Sequence, residues 1–409
     1  MKTATAAGVK DCIKAELDDL IEIRHDLHAH PELMWQEERT SSVVQRELTK
    51  LGIEFKAGLA GGTGVVGHLP ATTGDTSKPA VALRADMDAL PITEETGLSY
   101  SSTRDGLMHA CGHDGHTTIL LGAARVLAQT EHRPNPVTFV FQPAEEGGGG
   151  GQRFCMEGML DGSGADGKGG GLGPRVGSIY GLHGWPNQKL GTVKTRPGPL
   201  MASTDEFLIT VRGKGGHAAW PHLTNDPVVA ACAIVTSMQT IVSRSTSPVD
   251  SAVCTIGRIA GGTVDNVIPE AVEIEGTTRA LTPEMRKLAE ERVREISLHV
   301  AKAHGCTIDI HWNVGYPVVK NDPKMVERFV PLAEQVLGKE NVLHAETPVM
   351  GGEDFAYYAE HVPACFYFLG LCPEGQEHFP ELHTPRFDFN DKAIPVGVEM
   401  MTRVALDEG

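Results

Sequence analysis

Two kinds of apolar patterning succeed one another along the chain, and they restrict its architecture to an α/β layer interrupted by a smaller α+β unit. Short apolar runs at 81–83, 137–141 and 178–182 frame a helix-spaced run at 117–129. Strands that alternate with helices build a largely parallel sheet. Two helices are expected ahead of them. One spans 12–27, with Ile13, Leu17, Leu20, Ile21 and Leu27 at helical spacing; the other spans 40–51 and is closed by Gly52. Near Pro197-Gly198-Pro199 the pattern changes to strand (204–212), helix (226–243), strands (252–260 and 271–280), helix (283–304) and strand (307–314). That is the β-α-β-β-α-β order of a ferredoxin-like, split-βαβ sandwich. It starts and ends beside turn residues. It therefore reads as an inserted domain, residues 201–314, within a domain made of 1–200 and 315–409.

The length of 409 residues also points to two domains, because single cores stop growing below that size. A net charge of -17 disfavours nucleic acid and anionic membrane surfaces as partners. No apolar run reads as long enough to span a bilayer, and Met1 to Gly8 lack the basic and apolar segments of a secretory leader. Eight cysteines without short repeated spacing read as reduced thiols, which places the protein in the cytoplasm. Residues 161–174, rich in glycine, read as a mobile surface loop.

The densest chemistry lies in His109-Ala110-Cys111-Gly112-His113-Asp114-Gly115-His116. Imidazole and thiolate are common ligands of divalent ions. Gly112 and Gly115 would let the backbone turn tightly there. Asp86 and Asp88 follow a strand, where ligands of α/β sheets bind, and an Asp there can orient a ligand imidazole. A solvated strand end is the plain alternative. Glu145-Glu146 also follows a strand. Adjacent side chains diverge, so one carboxylate can bind metal while the other takes a proton. Spacing does not say which is which, and such a pair is commonly surface charge. His183 and His383 stand alone in apolar surroundings, where a histidine is more often structural than a ligand.

Taken together, Arg84-Ala85-Asp86-Met87-Asp88-Ala89-Leu90-Pro91, the segment 109–116, Gln142-Pro143-Ala144-Glu145-Glu146, Gly181-Leu182-His183-Gly184-Trp185-Pro186, Met350-Gly351-Gly352-Glu353-Asp354-Phe355 and Leu382-His383-Thr384-Pro385 resemble one family. It is that of hippurate hydrolases, N-acyl-amino-acid amidohydrolases and auxin–amino-acid conjugate hydrolases, a branch of the aminoacylase and carboxypeptidase-like metallopeptidases. The resemblance implies a phosphorylase/hydrolase-like catalytic domain with an inserted dimerisation and lid domain. It implies two divalent metal ions, manganese or zinc, with nickel or cobalt as alternatives. Their ligands would be Cys111, His113, Glu146, His183 and His383, with Cys111 as the bridge. Glu145 would be the general base and Asp88 the partner of a ligand. His217, in Gly215-Gly216-His217, would stabilise the oxyanion in its own or a neighbouring site. Asn266 and Arg279 would hold the substrate's free carboxylate, although Arg279 by spacing alone reads as a surface charge. His109, Asp114 and His116 would shape the turn or the cleft, and His222 has no assigned role. The insertion at 161–174 departs from relatives, which use a short acidic connection there. It could cover the cleft or hang in solvent.

The activity so implied is hydrolysis of a small-molecule N-acyl amino acid by a homodimer, or alternatively a homotetramer. A dipeptidase or aminopeptidase, and a non-catalytic binder of metal or amino-acid conjugates, are the competing readings. The paired carboxylates favour catalysis, since a closed structural metal site needs no spare base.

Overall fold

The computed structural model describes residues 6–75, 77–164, 169–376 and 378–407. The chain divides into two compact units. One comprises Met1–Leu200, Lys320–Glu346 and Asp354–Gly409; the other comprises Met201–Val319 and Thr347–Glu353.

The first unit opens with helices α1 (Ala6–Ala29) and α2 (Glu38–Lys50), then a hairpin of β1 (Glu54–Leu59) and β2 (Gly64–Leu69). Strand β3 (Ala80–Asp86), helix α3 (His113–Ala128), strand β4 (Val137–Gln142) and strand β5 (Val176–Lys189) follow. The sheet is mixed with a parallel centre: β4, β3, β5 and the strand Ala364–Cys372 run parallel as neighbours, while β1 and β2 are antiparallel. Every residue of β4 and of Ala364–Cys372 is buried, as both faces of a covered parallel sheet require. Helix α3 is buried along nearly its whole length. The amphipathic α1 sets Ile13, Leu20, Ile23 and Leu27 into the same core.

The second unit carries the expected β-α-β-β-α-β order, on a four-stranded antiparallel sheet ordered Ala252–Ala260, Ala271–Ala280, Ser203–Arg212, Thr307–Val314. Its helices Pro227–Thr240 and Pro283–Ala303 start cleanly. Asp226 and Thr282 accept backbone N–H groups as caps, and proline follows each. Residues 316 and 349–351 are stitched to this unit: Thr204 N–H donates to the Tyr316 carbonyl, and Ala202 N–H donates to that of Gly351. Contrary to the sequence reading, one run, Pro227–Ser245, is long and apolar enough by composition to cross a membrane. Its Ala230, Ala231, Ile234, Met238 and Ile241 are buried in this unit's own core, while Val228, Val229 and Val242 are exposed.

Part of the glycine-rich segment, residues 165–168, lies outside the described residues. Its flanks are fastened rather than loose. Ser163 N–H donates to Gly173 O (2.8 Å), Gly171 N–H to Gly162 O (3.0 Å), and Lys56 of β1 to Gly170 O (3.2 Å). Gly173 lies against the His68 ring of β2. The flanks thus pack on the β1–β2 hairpin.

Candidate metal centre

The carboxyl ends of β3, β4 and β5 deliver the chemistry. Asp88 lies just past β3. Gly112, at φ 86°, caps α3 in the left-handed region, so Cys111 precedes the helix and His113 begins it. The expected tight turn through Gly115 is therefore the first turn of a helix. Gly115 answers to packing instead: a Cβ there would fall 2.4 Å from the Phe389 ring. His183 lies inside β5, which is longer than its apolar run suggested. Past β4 the chain turns at Ala144, a non-glycine residue at φ 56°, and presents Glu145 and Glu146. His383 also has positive φ (59°), and its N–H donates to Ala110 O at 2.8 Å, next to Cys111.

These segments bring seven of the expected residues into one cluster. Cys111 Sγ lies 3.3 Å from His183 Nε2 and 3.3 Å from His383 Nε2. His383 Nε2 is 3.1 Å from Glu146 Oε1. Donor atoms of Cys111, His113 and His183 lie within 4.8 Å of one another, as do those of Cys111, Glu146 and His383, and those of His113, Glu145 and Glu146. Cys111 is thus common to two sets. Asp88 ties them: its Oδ1 accepts from His113 Nδ1 (3.1 Å) and its Oδ2 from Glu146 N–H (2.8 Å). His183 Nδ1 donates to the Gly184 carbonyl at 2.8 Å. Both rings are thereby held through Nδ1, and His183 points its Nε2 at the thiol.

Other buried polar residues support the cluster, and of these Arg24 and His28 escape a sequence reading. His116 is wholly buried and is no member of the Cys111 sets. Its Nδ1 donates to Asp86 (2.7 Å), and its Nε2 accepts Gly184 N–H (2.8 Å), which pins the β5 segment bearing His183. Buried Arg84 pairs with Asp86 (2.8 Å) and Asp354 (2.9 Å), and Asp354 also receives Gln142 and Gly151 N–H. Behind α3, the buried Arg24 guanidinium meets Asp114 (2.9 Å), Asp388 and Asp391 (3.1 Å). Polar residues on otherwise apolar helix faces, such as Arg24 and His28 on α1, are the signal that was available.

The electrostatics favour a cation. Burial, then the charges of Glu146, Glu145 and Asp86, pushes the Cys111 thiol well above its ordinary range. Burial alone would lower His113, but Asp86, Asp88 and Glu146 raise it to about 10. His183 is driven well down by burial and by the charges of His116 and His113. Among the described residues, buried His113 Nε2 has no hydrogen-bond partner, and it lies 3.8 Å from Asp86 Oδ2. A buried imidazole that shares donor sets with a thiol, a second imidazole and carboxylates is satisfied when a divalent ion replaces its proton, so the residues fit such a group.

In the second unit, Asn266 and His217 sit together. His217 pairs with Val267, and Ala218 N–H donates to Asn266 O at 3.1 Å. The exposed His217 ring lies 4.8 Å from that of Trp220. Arg279 is elsewhere: Ala271 pairs with Arg212 at the His217 end of the sheet, and Arg279 pairs with Thr204 at the other. Eight residues of strand separate those ends, roughly 26 Å at about 3.3 Å per residue. Asn266 and Arg279, expected to grip one carboxylate, are therefore not brought together within a chain. The Arg279 guanidinium donates to Thr277 Oγ1 and to Thr278 O (3.0 Å), and forms no ion pair among the described residues.

A thiol shared between two imidazole- and carboxylate-bearing sets, with a further buried carboxylate beside them at the strand ends of an α/β sheet, defines a candidate metallohydrolase. Residues 82–407 match the model of peptidase family M20/M25/M40, and the chain belongs to that family of amide-bond hydrolases. It is 39% identical over 377 residues to the N-acetyl-L-cysteine deacetylase of Bacillus subtilis (92% of this chain, 84% of the relative). It is 37% identical over 393 residues to the IAA-amino acid hydrolase ILR1-like 4 of Arabidopsis thaliana (95% and 85%). A solved Bacillus subtilis protein, YXEP, described as a dinuclear metal binding peptidase of the M20 family, superposes with a TM-score of 0.80 at 34% identity. That match covers 96% of this chain and 98% of the other.

Proposed function

We propose that this protein is a two-metal amidohydrolase that cleaves N-acyl amino acids to a carboxylate and a free amino acid. The observation that carries the reading is Cys111 Sγ at 3.3 Å from both His183 and His383, shared by two donor sets. Cys111, His113 and His183 would hold one ion, and Cys111, Glu146 and His383 the other. When bound, such ions polarise the amide carbonyl and make water a better nucleophile. Glu145 takes the proton from the attacking water and passes it to the leaving nitrogen. Asp88 keeps His113 and the Glu146 peptide in register. Arg279, half-buried and without an ion pair among the described residues, offers its fork to the substrate's free carboxylate.

A single small substrate cannot reach both ends of a strand spanning roughly 26 Å. His217 and Asn266 therefore serve a different metal centre from Arg279 of the same chain, and we assign them to that of a second copy, where His217 donates to the developing oxyanion. That makes the working form a homodimer. The metal is manganese or zinc, with nickel or cobalt as alternatives that the Cys, His and Glu donors also accept. All eight cysteines are free thiols, which supports a cytoplasmic setting.

The names of the relatives point to acetyl and indoleacetyl groups, and hippurate adds benzoyl. The test is a panel of N-acetyl, N-benzoyl and indoleacetyl amino acids against dipeptides with a free amine, with metal quantified in parallel. Turnover of the acylated set is expected; turnover of the free-amine peptides alone would overturn the reading.

A further inference from the structure

The connection between α1 and α2, residues 30–37, has no part in the chemistry described so far. Yet it touches both loops that carry the acids of the metal centre. The Glu32 carbonyl accepts Ala89 N–H at 2.8 Å, beside Asp88, and Leu33 bridges to Ala89. Glu37 is 0% exposed. Its Oε1 accepts Ala144 N–H (2.8 Å) and Trp35 N–H (3.1 Å), and its Oε2 accepts the Thr63 hydroxyl (2.8 Å). Ala144 and Trp35 both carry side chains at positive φ, 56° and 65°, a region that residues with a Cβ avoid. One carboxylate therefore holds two disfavoured peptides.

Glu37 forms no ion pair among the described residues. Burial, with the Asp88 charge, raises it to about 7. A buried acid without a counter-ion is a poor stability device. Its partners explain it better: two of its three donors are the backbone of strained residues, and one of these precedes Glu145. The direction of the Ala144 peptide sets where the Glu145 side chain leaves the chain.

We propose that Glu37 is a positioning residue that fixes the left-handed turn at Ala144 and so aims Glu145 at the reacting water. The proposal deepens the amidohydrolase reading and rests on Glu145 being the base.

The test compares Glu37→Gln, Glu37→Asp, Glu37→Ala and Glu145→Gln in the metal-loaded full chain, on an N-acyl amino acid substrate. Glu37→Gln keeps an acceptor oxygen at the Oε1 position and should retain kcat. Glu37→Asp keeps the charge but withdraws the oxygens, and Glu37→Ala removes them. Both should lose about 10- to 100-fold in kcat, the usual cost of a small misplacement. KM and metal content should stay within about twofold, the pattern of a defect confined to the chemical step. If the alanine variant does not fold, the aspartate variant decides. Wild-type kcat in Glu37→Asp, or a kcat loss that merely follows lost metal, would overturn the proposal. Near-wild-type turnover in Glu145→Gln would instead remove the reading beneath it, so the two failures appear in different variants.

Discussion

Asp88 grips His113 across 25 residues of sequence: its Oδ1 lies 3.1 Å from Nδ1 of the imidazole, and both side chains are buried. The contact fixes the ring through Nδ1 and leaves Nε2 as its other nitrogen, and the second oxygen of Asp88 holds the Glu146 peptide. Asp88→Asn can satisfy one of these donors but offers an amide where both need an acceptor. We expect metal affinity to fall roughly 10- to 100-fold, as for other partners of metal-bound histidines. Titration of the apo protein with zinc or manganese measures it; unchanged affinity would refute the assigned role.

A second relationship predicts a pH dependence. Burial alone would lower His28, but Asp114 and then Glu94 raise it from 6.5 to about 9. The native state holds this proton more tightly than the unfolded chain. Its stabilisation is complete below about pH 6.5 and disappears as pH rises through about 9, amounting to about 3 kcal/mol at most. Thermal unfolding of wild type against His28→Gln should diverge at pH 6 and converge near pH 10. Parallel profiles would show that His28 carries no such proton.

Arg279 offers a test on the substrate side. Losing a charge-assisted, bidentate contact costs about 1.5–3 kcal/mol, so Arg279→Ala should lower kcat/KM by roughly 10- to 100-fold, mostly through KM. Methyl esterification of the substrate carboxylate should have the same effect on wild type and little further effect on the variant. An ester hydrolysed as well as the acid would remove Arg279 from this role.

The assignment of His217 to a second copy predicts complementation. His217→Ala and Glu145→Gln should each be inactive alone. Mixed and allowed to exchange subunits, they should recover about a quarter of wild-type sites, because only the mixed dimers, half of the total, carry one intact site. Absence of any recovery despite subunit exchange would place His217 in its own chain's site.

What the sequence discloses here follows from proximity along the chain. Cys111 and His113 stand two residues apart, and Glu145 and Glu146 are adjacent, so their convergence needs little from the fold. The alternation of strands and helices places them at strand ends. Asp88, by contrast, gains meaning only when β3 and β4 become neighbours, and His116 only when β5 brings up Gly184. Glu37 lies in a polar connection without periodicity, 107 residues from Ala144, and no local pattern marks it. The distance between Asn266 and Arg279 was equally hidden, because strand register rather than spacing sets it. The helical spacing of Pro227–Ser245 marks a helix, but which of its residues are buried follows only from the sheet it packs on.

In the proposed reaction Glu145 moves the proton while Cys111 and its partners hold the metal. The most direct measurement is kcat on an N-acyl amino acid with metal per chain, for wild type and Glu145→Gln. General-base catalysis supplies about 10²- to 10⁴-fold. Two divalent ions per chain are expected in both proteins, with a loss of kcat of about that size in the variant. A variant that turns over substrate at near the wild-type rate, or that loses its metal along with its activity, would contradict it.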